Sequence, residues 1–288
     1  MLLENLQNSP ALLISIVFLV GILIGSFLNL VIYRLPLMMQ RQWRQECQSF
    51  LQLPMTDTGQ GFNLVLPASH CPHCTAPIKA YDNIPLISFC LLMGKCRSCQ
   101  AVISIRYPLI ELLTGLCSAL IAWRFGFSVA MLFALLLTWS LIAQSFIDID
   151  HQLLADSISL PMLWLGLLLS IFCVYTNSHD SVIGAIAGYL SLWSVYQLFK
   201  LATGKDGMGY GDFKLLAMLG AWLGWQYLPM IILLSSVVGA MIGVGMVLIN
   251  RQQLSQPIPF GPYLAASGWL AMIWGAELNQ LYLNLIAI

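Results

Sequence analysis

A chain of 288 residues that is 59% hydrophobic and only 8% charged has too little polar surface to cover a core, which excludes a soluble globular fold and makes the bilayer the expected solvent. Its 12 basic and 12 acidic side chains cancel, so no global field points toward nucleic acid or an acidic partner. The mean hydropathy of +0.83 agrees.

Crossing roughly 30 Å of hydrocarbon takes about 20 apolar residues. In chain order such runs fall near 11–33, 108–125, 127–147, 157–176, 181–201, 213–227, 229–249 and 261–285, which predicts about eight spans. They are continuously apolar rather than alternating, so helices are expected and barrel strands are not. The sixth run is short and is a candidate half-helix. The first is too long for a cleaved signal, has Glu4 where a basic residue is expected and lacks an A-x-A site, so it is expected to persist as a helix. Gly21 with Gly25, and Gly239 with Gly243, form G-x-x-x-G pairs whose ordinary use is close helix packing.

The one clear interruption, Arg34 to Tyr107, carries seven of the 12 basic residues: Arg34, Arg41, Arg44, Lys79, Lys95, Arg97 and Arg106. The positive-inside rule places it in the cytoplasm. Alternating the spans then puts Lys200, Lys205, Lys214 and Arg251 on the same side, with Arg124 alone outside and both termini on the far face. The loops around 148–156 and 202–212 share the cytoplasmic face.

Within this segment stand "CPHC" (Cys71, Cys74) and "CRSC" (Cys96, Cys99), with 21 residues between the pairs. Two such knuckles bring four thiolates to one point, the donor set of a structural zinc site with no open position for water. Two disulfides or redox motifs are the alternative, disfavoured by a reducing cytoplasm. His70 and His73 are read as neighbours. Cys90, Cys117 and Cys173 read as small core hydrophobes and Cys47 is unassigned. A zinc ribbon can bind nucleic acid, but the segment is only moderately basic and lacks interleaved aromatics, so no nucleic-acid partner is expected.

Acidic residues are few, and ionised groups near hydrocarbon are costly. "FIDIDHQLLAD" sets Asp148, Asp150 and Asp156 at the end of the third span and the start of the fourth; "GMGYGD" sets Asp212 at the entry to the sixth. Helix exits carry charges simply to fix the membrane boundary, and three aspartates in one loop would by themselves invite that reading. Gly207, Gly209 and Gly211 add another possibility, because glycine allows close approach and positive-φ turns beside a peptide. Two carboxylates from different helices that share a proton can split water against a peptide carbonyl.

The strings "GSFLNLVIYRLP", "CPHC", "CRSC", "RYPLIELLTG", "DIDHQLLAD", "GKDGMGYGDFKLLAMLGAWLG" and "PFGPYLA", in this order, resemble the type IV prepilin peptidase family, the leader peptidase/N-methyltransferases. The resemblance covers nearly the whole chain. It implies a bacterial inner-membrane enzyme that removes the basic leader of prepilins and pseudopilins after a glycine, on the cytoplasmic side, and then methylates the new N-terminus with S-adenosylmethionine. The family's catalytic aspartates carry over to Asp148 and Asp212, with Asp150, Asp156, Gly209 and Gly211 as accompanying acidic and loop positions. Many members have proline before the third aspartate, where Ala155 stands here. No glycine-rich dinucleotide fingerprint is present, so the methyl-donor site is not drawn from the residues.

The expected architecture is therefore an all-α polytopic membrane protein with a first helix over 1–33, a cytoplasmic zinc-binding and methyltransferase region over 34–107 and a membrane peptidase domain over 108–288. Prepilin substrates and membrane lipid are its expected partners, and the oligomeric state is not indicated. The alternatives are a proton- or cation-coupled transporter using Asp148 and Asp212, and a non-catalytic anchor presenting the zinc module.

Overall fold

In the computed structural model, residues 9–53, 61–250 and 259–286 are described. Glu4 and Arg251, used above for the first run and for topology, lie outside them. Two compact units are formed, Met1–Met131 and Leu132–Ile288, and each is described by itself. All regular elements among the described residues are helical apart from two isolated bridges, His70 with Pro77 and Lys95 with Val102.

In the first unit, α1 (Pro10–Phe50) starts on proline, whose missing N–H costs nothing in a first turn. Its 41 residues make it about 60 Å long, twice the hydrocarbon thickness. The helix thus does not end at the first span but continues through Pro36 as an exposed polar extension, with Gln42 Nε2 donating to Glu46 Oε1 at 2.9 Å. The short α2 (Ile87–Leu91) lies between the knuckles, and α3 (Arg106–Phe125) packs antiparallel against α1. The first G-x-x-x-G sets that contact: a Cβ at Gly21 would sit 2.6 Å from Ser118 Oγ, and one at Gly25 would sit 2.7 Å from Glu111 Cα.

The second unit contains the greater part of α4 (Val129–His151), then α5 (Asp156–Ile171), α6 (Ser178–Thr203), α7 (Tyr210–Leu223), α8 (Leu228–Asn250) and α9 (Gly261–Ile286), the last kinked at Trp274. The Asn177 side chain caps α6 by accepting from Asp180 N–H at 2.9 Å, and Gly204 ends it at φ 70. The centre of the unit is α7, buried at almost every position from Asp212 to Leu223. A helix apolar all round belongs inside a bundle, and its 14 residues reach only about 21 Å, so the sixth run is the short helix its length suggested. It crosses α6 backbone to backbone, with Gly184 against Gly220 and Gly188 against the Leu216 carbonyl. Ser181 Oγ donates across this crossing to Ala221 O at 2.6 Å. On the α5 side Trp222 lies over Gly166 and donates to Met162 O at 2.7 Å.

Among the described residues five helices are long and apolar enough to cross a membrane, so the expected count of eight is not confirmed. Two of the runs fall short for local reasons. The chain leaves helical geometry at Phe172–Cys173, so α5 stops at 16 residues, and α7 is shorter still. Of the cysteines read as core, Cys117 is half-buried but Cys90 and Cys173 are exposed.

Candidate active site and metal centre

The two knuckles have the same local geometry, which follows from their matching sequences. In the first, Thr75 N–H donates to Cys71 O and Cys71 N–H donates to Ala76 O, both at 2.9 Å; in the second, Gln100 N–H donates to Cys96 O at 3.0 Å and Cys96 N–H to Ala101 O at 2.8 Å. Thr75 and Gln100 both turn the chain through the left-handed region, at φ 57 and 59. The four sulfurs of Cys71, Cys74, Cys96 and Cys99 lie within 4.8 Å of one another. Cys71 and Cys99, from different knuckles, are 3.8 Å apart, while a tetrahedron with Zn–S near 2.3 Å has an edge of about 3.8 Å. The donor set therefore fits a tetrahedral thiophilic dication.

Electrostatics support that fit. Backbone N–H groups of Cys74 and His73 lower the Cys71 thiol to about 6. Cys99 is pushed up to about 11: the Ala101 N–H favours its thiolate, but burial and the Cys74 and Cys96 sulfurs outweigh it. One proton leaves easily and another is held by its surroundings, a tension that a bound dication relieves. His70 turns toward Ala68 O instead, and His73 is outside the cluster.

Arg97 reaches back to Asp82 with bonds of 2.6–3.0 Å and so ties the second knuckle to the segment between the pairs. Arg34, read as a topology marker, is in fact buried and donates to Asn63 O at 2.9 Å and Pro67 O at 2.6 Å, fastening the approach to the first knuckle onto α1.

In the second unit the C-terminal end of α4 and the N-terminal ends of α5, α7 and α9 meet at one pole. Asp148 and Asp212 are both buried there, 5% and 8% exposed. They come from different helices and are close enough to act on each other electrostatically. Asp148 Oδ2 accepts the Gly261 N–H at 3.0 Å, and a Cβ at Gly261 would lie 2.6 Å from that oxygen. Asp212 Oδ1 is buried without a hydrogen-bond partner among the described residues.

The accompanying residues separate by role. Asp156 is exposed at the start of α5 and pairs with Lys214 at 2.6 Å, bracing the entry of α7. Asp150, two residues from Asp148, falls on the exposed side of α4. Gly209 is the residue before α7, with φ −80 and ψ 148. The expected left-handed turns at Gly207, Gly209 and Gly211 are not found, since none has a positive φ. Close approach is what two of them serve: a Cβ at Gly207 would meet Phe199 at 2.6 Å, and one at Gly211 would meet Leu154 Cβ at 2.7 Å. Ala155 is fully buried where a proline was noted as usual, so α5 begins without one.

Gln144, missed in the sequence, lies one turn before Asp148 on the same face of α4, fully buried. Its Oε1 accepts from Ser159 Oγ at 2.7 Å, while its Nε2 has no partner among the described residues. An amide at i−4 from an acid in an apolar run was the available signal.

Residues 19–125 match the Bacterial Peptidase A24 N-terminal domain, and residues 135–244 match the Type IV leader peptidase family. The chain belongs to the type IV leader peptidase family. Among its relatives, the prepilin leader peptidase/N-methyltransferase of Stutzerimonas stutzeri is 56% identical, covering 98% of this chain and 97% of its own. The proteins of that name from Pseudomonas aeruginosa and Legionella pneumophila are 53% and 45% identical, covering 98% and 96% of both chains respectively. No solved structure matches. The transport reading finds no support among these relatives.

Proposed function

We propose that the chain removes the leader from prepilins and pseudopilins after a glycine, at the cytoplasmic face of the bacterial inner membrane, and then N-methylates the new terminus. The observation that carries this reading is the pair of buried carboxylates, Asp148 and Asp212, delivered by two helices to one pole of the second unit. Sharing one proton, the pair lets one carboxylate take a proton from water as its oxygen adds to the scissile carbonyl, while the other donates to that carbonyl oxygen. The Gly261 N–H orients Asp148, and the buried Asp212 Oδ1, with no partner among the described residues, has its lone pairs left for the catalytic water or the substrate. Collapse of the tetrahedral species breaks the C–N bond and releases the mature chain with a free α-amine.

Zinc is the proposed occupant of the four thiolates, with a structural role: it joins two knuckles that share too little apolar core to hold together alone. S-adenosylmethionine, the donor implied by the relatives' second activity, would supply an electrophilic methyl group. Orientation rests on the seven basic residues of 34–107. The aspartate pole is expected on the same side, because Lys214 lies there, while Asn177, Asp180 and Trp225 cluster at the opposite pole.

Co-expression with a type IV prepilin, read by mass spectrometry of the pilin N-terminus, tests the reading. Leader loss plus one methyl group is expected with the wild type. An unprocessed prepilin would overturn it. Thiol labelling from the periplasmic side should reach a cysteine placed at Asn177 and miss one at Thr203, and the reverse pattern would remove the cytoplasmic assignment.

A further inference from the structure

Outside both sites, the first unit holds one acid in an unusual setting. Glu111 lies on α3 about 8 Å past its start and is only 7% exposed. Its Oε2 accepts the Leu86 N–H at 2.8 Å, and Ser26 on α1 hydrogen-bonds to the same carboxyl. No basic side chain pairs with it among the described residues. A buried carboxylate without a countercharge is costly, and a cation brought alongside recovers that cost.

The backbone that meets Glu111 is itself strained. Leu86 has φ 58 and ψ −48, and the Ile87 N–H closes onto Pro85 O at 2.6 Å. This is the positive-φ γ-turn, a rare and unfavourable conformation for a bulky residue. Such strain persists where surroundings enforce it and collects at functional sites. The turn belongs to the segment between the knuckles, which Arg97 and Asp82 tie to the metal cluster. Beside Ser26 opens a cavity of about 280 Å³, lined by Leu23, Ser26, Phe27 and Leu30 of α1 and by Asn83 and Pro85 next to the turn. Leu23 and Phe27 are 59% and 51% exposed, so the cavity opens on an exposed apolar stretch of α1, and Ser26 connects it to the Glu111 carboxyl, which lies behind the lining.

We infer that the Glu111 carboxylate and this apolar cavity form the site that receives the freed α-ammonium of the cleaved pilin, with the first mature side chain seated among Leu23, Phe27 and Leu30. The site rests on the proposed second activity and deepens it. A lone acid recognises the amine, and the exposed apolar opening admits a chain whose following residues are apolar. A methyl donor also carries cationic groups, but the apolar lining favours the peptide.

The experiment uses the full-length zinc-loaded protein in detergent and two hexapeptides with an apolar first residue, one with a free amine and one N-acetylated. Wild type should bind the free-amine peptide at least about tenfold more tightly, as for a hydrogen bond to a charged group. Glu111→Gln keeps the acceptor for Leu86 N–H and removes the charge, so discrimination should vanish while metal content and gel-filtration profile stay unchanged. Phe27→Ala, on the exposed rim, should weaken both peptides and leave their ratio intact. The proposal is overturned if wild type does not distinguish the peptides, if Glu111→Gln still does, or if Glu111→Gln loses S-adenosylmethionine binding with peptide discrimination intact. Failure of the function reading shows differently, as a wild type that leaves co-expressed prepilin unprocessed.

Discussion

The four-cysteine cluster and the aspartate pair are assembled by opposite means. In the first unit, four side chains on two loop turns define the cluster, and little apolar core stands behind it. In the second, the aspartate oxygens sit on helix ends whose positions are set by backbone packing far from them, at Gly184, Gly188 and Gly220. The first site is therefore vulnerable to loss of a ligand and the second to added volume.

The largest expected effect comes from the chemistry itself. Asp148→Asn and Asp212→Asn each keep side-chain volume but cannot cycle a proton, and should slow leader removal by at least about 10³-fold. Zinc content should be unaffected; normal cleavage by either variant would remove that residue from the pair, and loss of metal would blur the contrast between sites.

Added volume probes the other side of the contrast. Gly184→Leu drives a side chain into the α7 backbone, where overpacking costs about 1–3 kcal/mol and occasionally more. Peptidase yield and activity should fall while the protein that remains keeps its metal. A fully active Gly184→Leu protein would mean that the crossing does not position Asp212.

Ligand loss should do the converse. Cys71→Ser, or a strong chelator, should empty the cluster and expose residues 61–106 to limited proteolysis, since thiolate ligation in small modules supplies on the order of 10 kcal/mol of folding free energy. Cleavage of prepilin should survive in part. Intact, protease-resistant protein without metal would show that the knuckles need no dication.

The smallest effect sharpens the description of the loop before α7. Tyr196 Oη donates to Asp206 Oδ1 at 2.6 Å and Lys200 Nζ lies 2.9 Å from it. These partners, the tyrosine first, hold the Asp206 carboxyl below its usual range. A depressed acid contributes stability above its unfolded value that is lost as pH falls through the folded one, so the 204–209 loop should become more protease-sensitive only below about pH 4. Asp206→Asn should remove that pH dependence, and an unchanged profile would show that the contact does not order the loop.

The sequence made the four cysteines and the two aspartates legible for a physical reason. Metal ligation demands a fixed donor spacing, and an acid at a membrane boundary stands out against an apolar background. Arg34, Glu111 and Gln144 were not legible as interior groups, because a lone charged or amide residue near a predicted span looks the same whether it faces headgroups or a neighbouring helix. The strained turn at Leu86 has no compositional mark at all, since "IPLIS" reads as an ordinary apolar stretch. Helix length departs from the hydropathy run where backbone geometry breaks inside it, as at Phe172–Cys173, and the use of Gly207 and Gly211 for side-chain clearance rather than for turn geometry depends on Phe199 and Leu154, which belong to other segments and meet these glycines only in the folded chain.

The near-identity of the two knuckles has a further consequence. Each supplies half of a coordination sphere, so for an incoming ion they behave as a tethered dimer of bidentate chelators. A flexible tether of the 21 residues between them would have a root-mean-square span of about 25 Å, and short flexible tethers give effective concentrations in the millimolar range. The short helix α2 and the Asp82–Arg97 bridge fold that tether back and shorten its reach, raising the local concentration of the second half-site before any ion arrives. Metal capture should accordingly be all-or-none: a protein holding one knuckle's pair of thiolates on an ion already has the other pair poised to close.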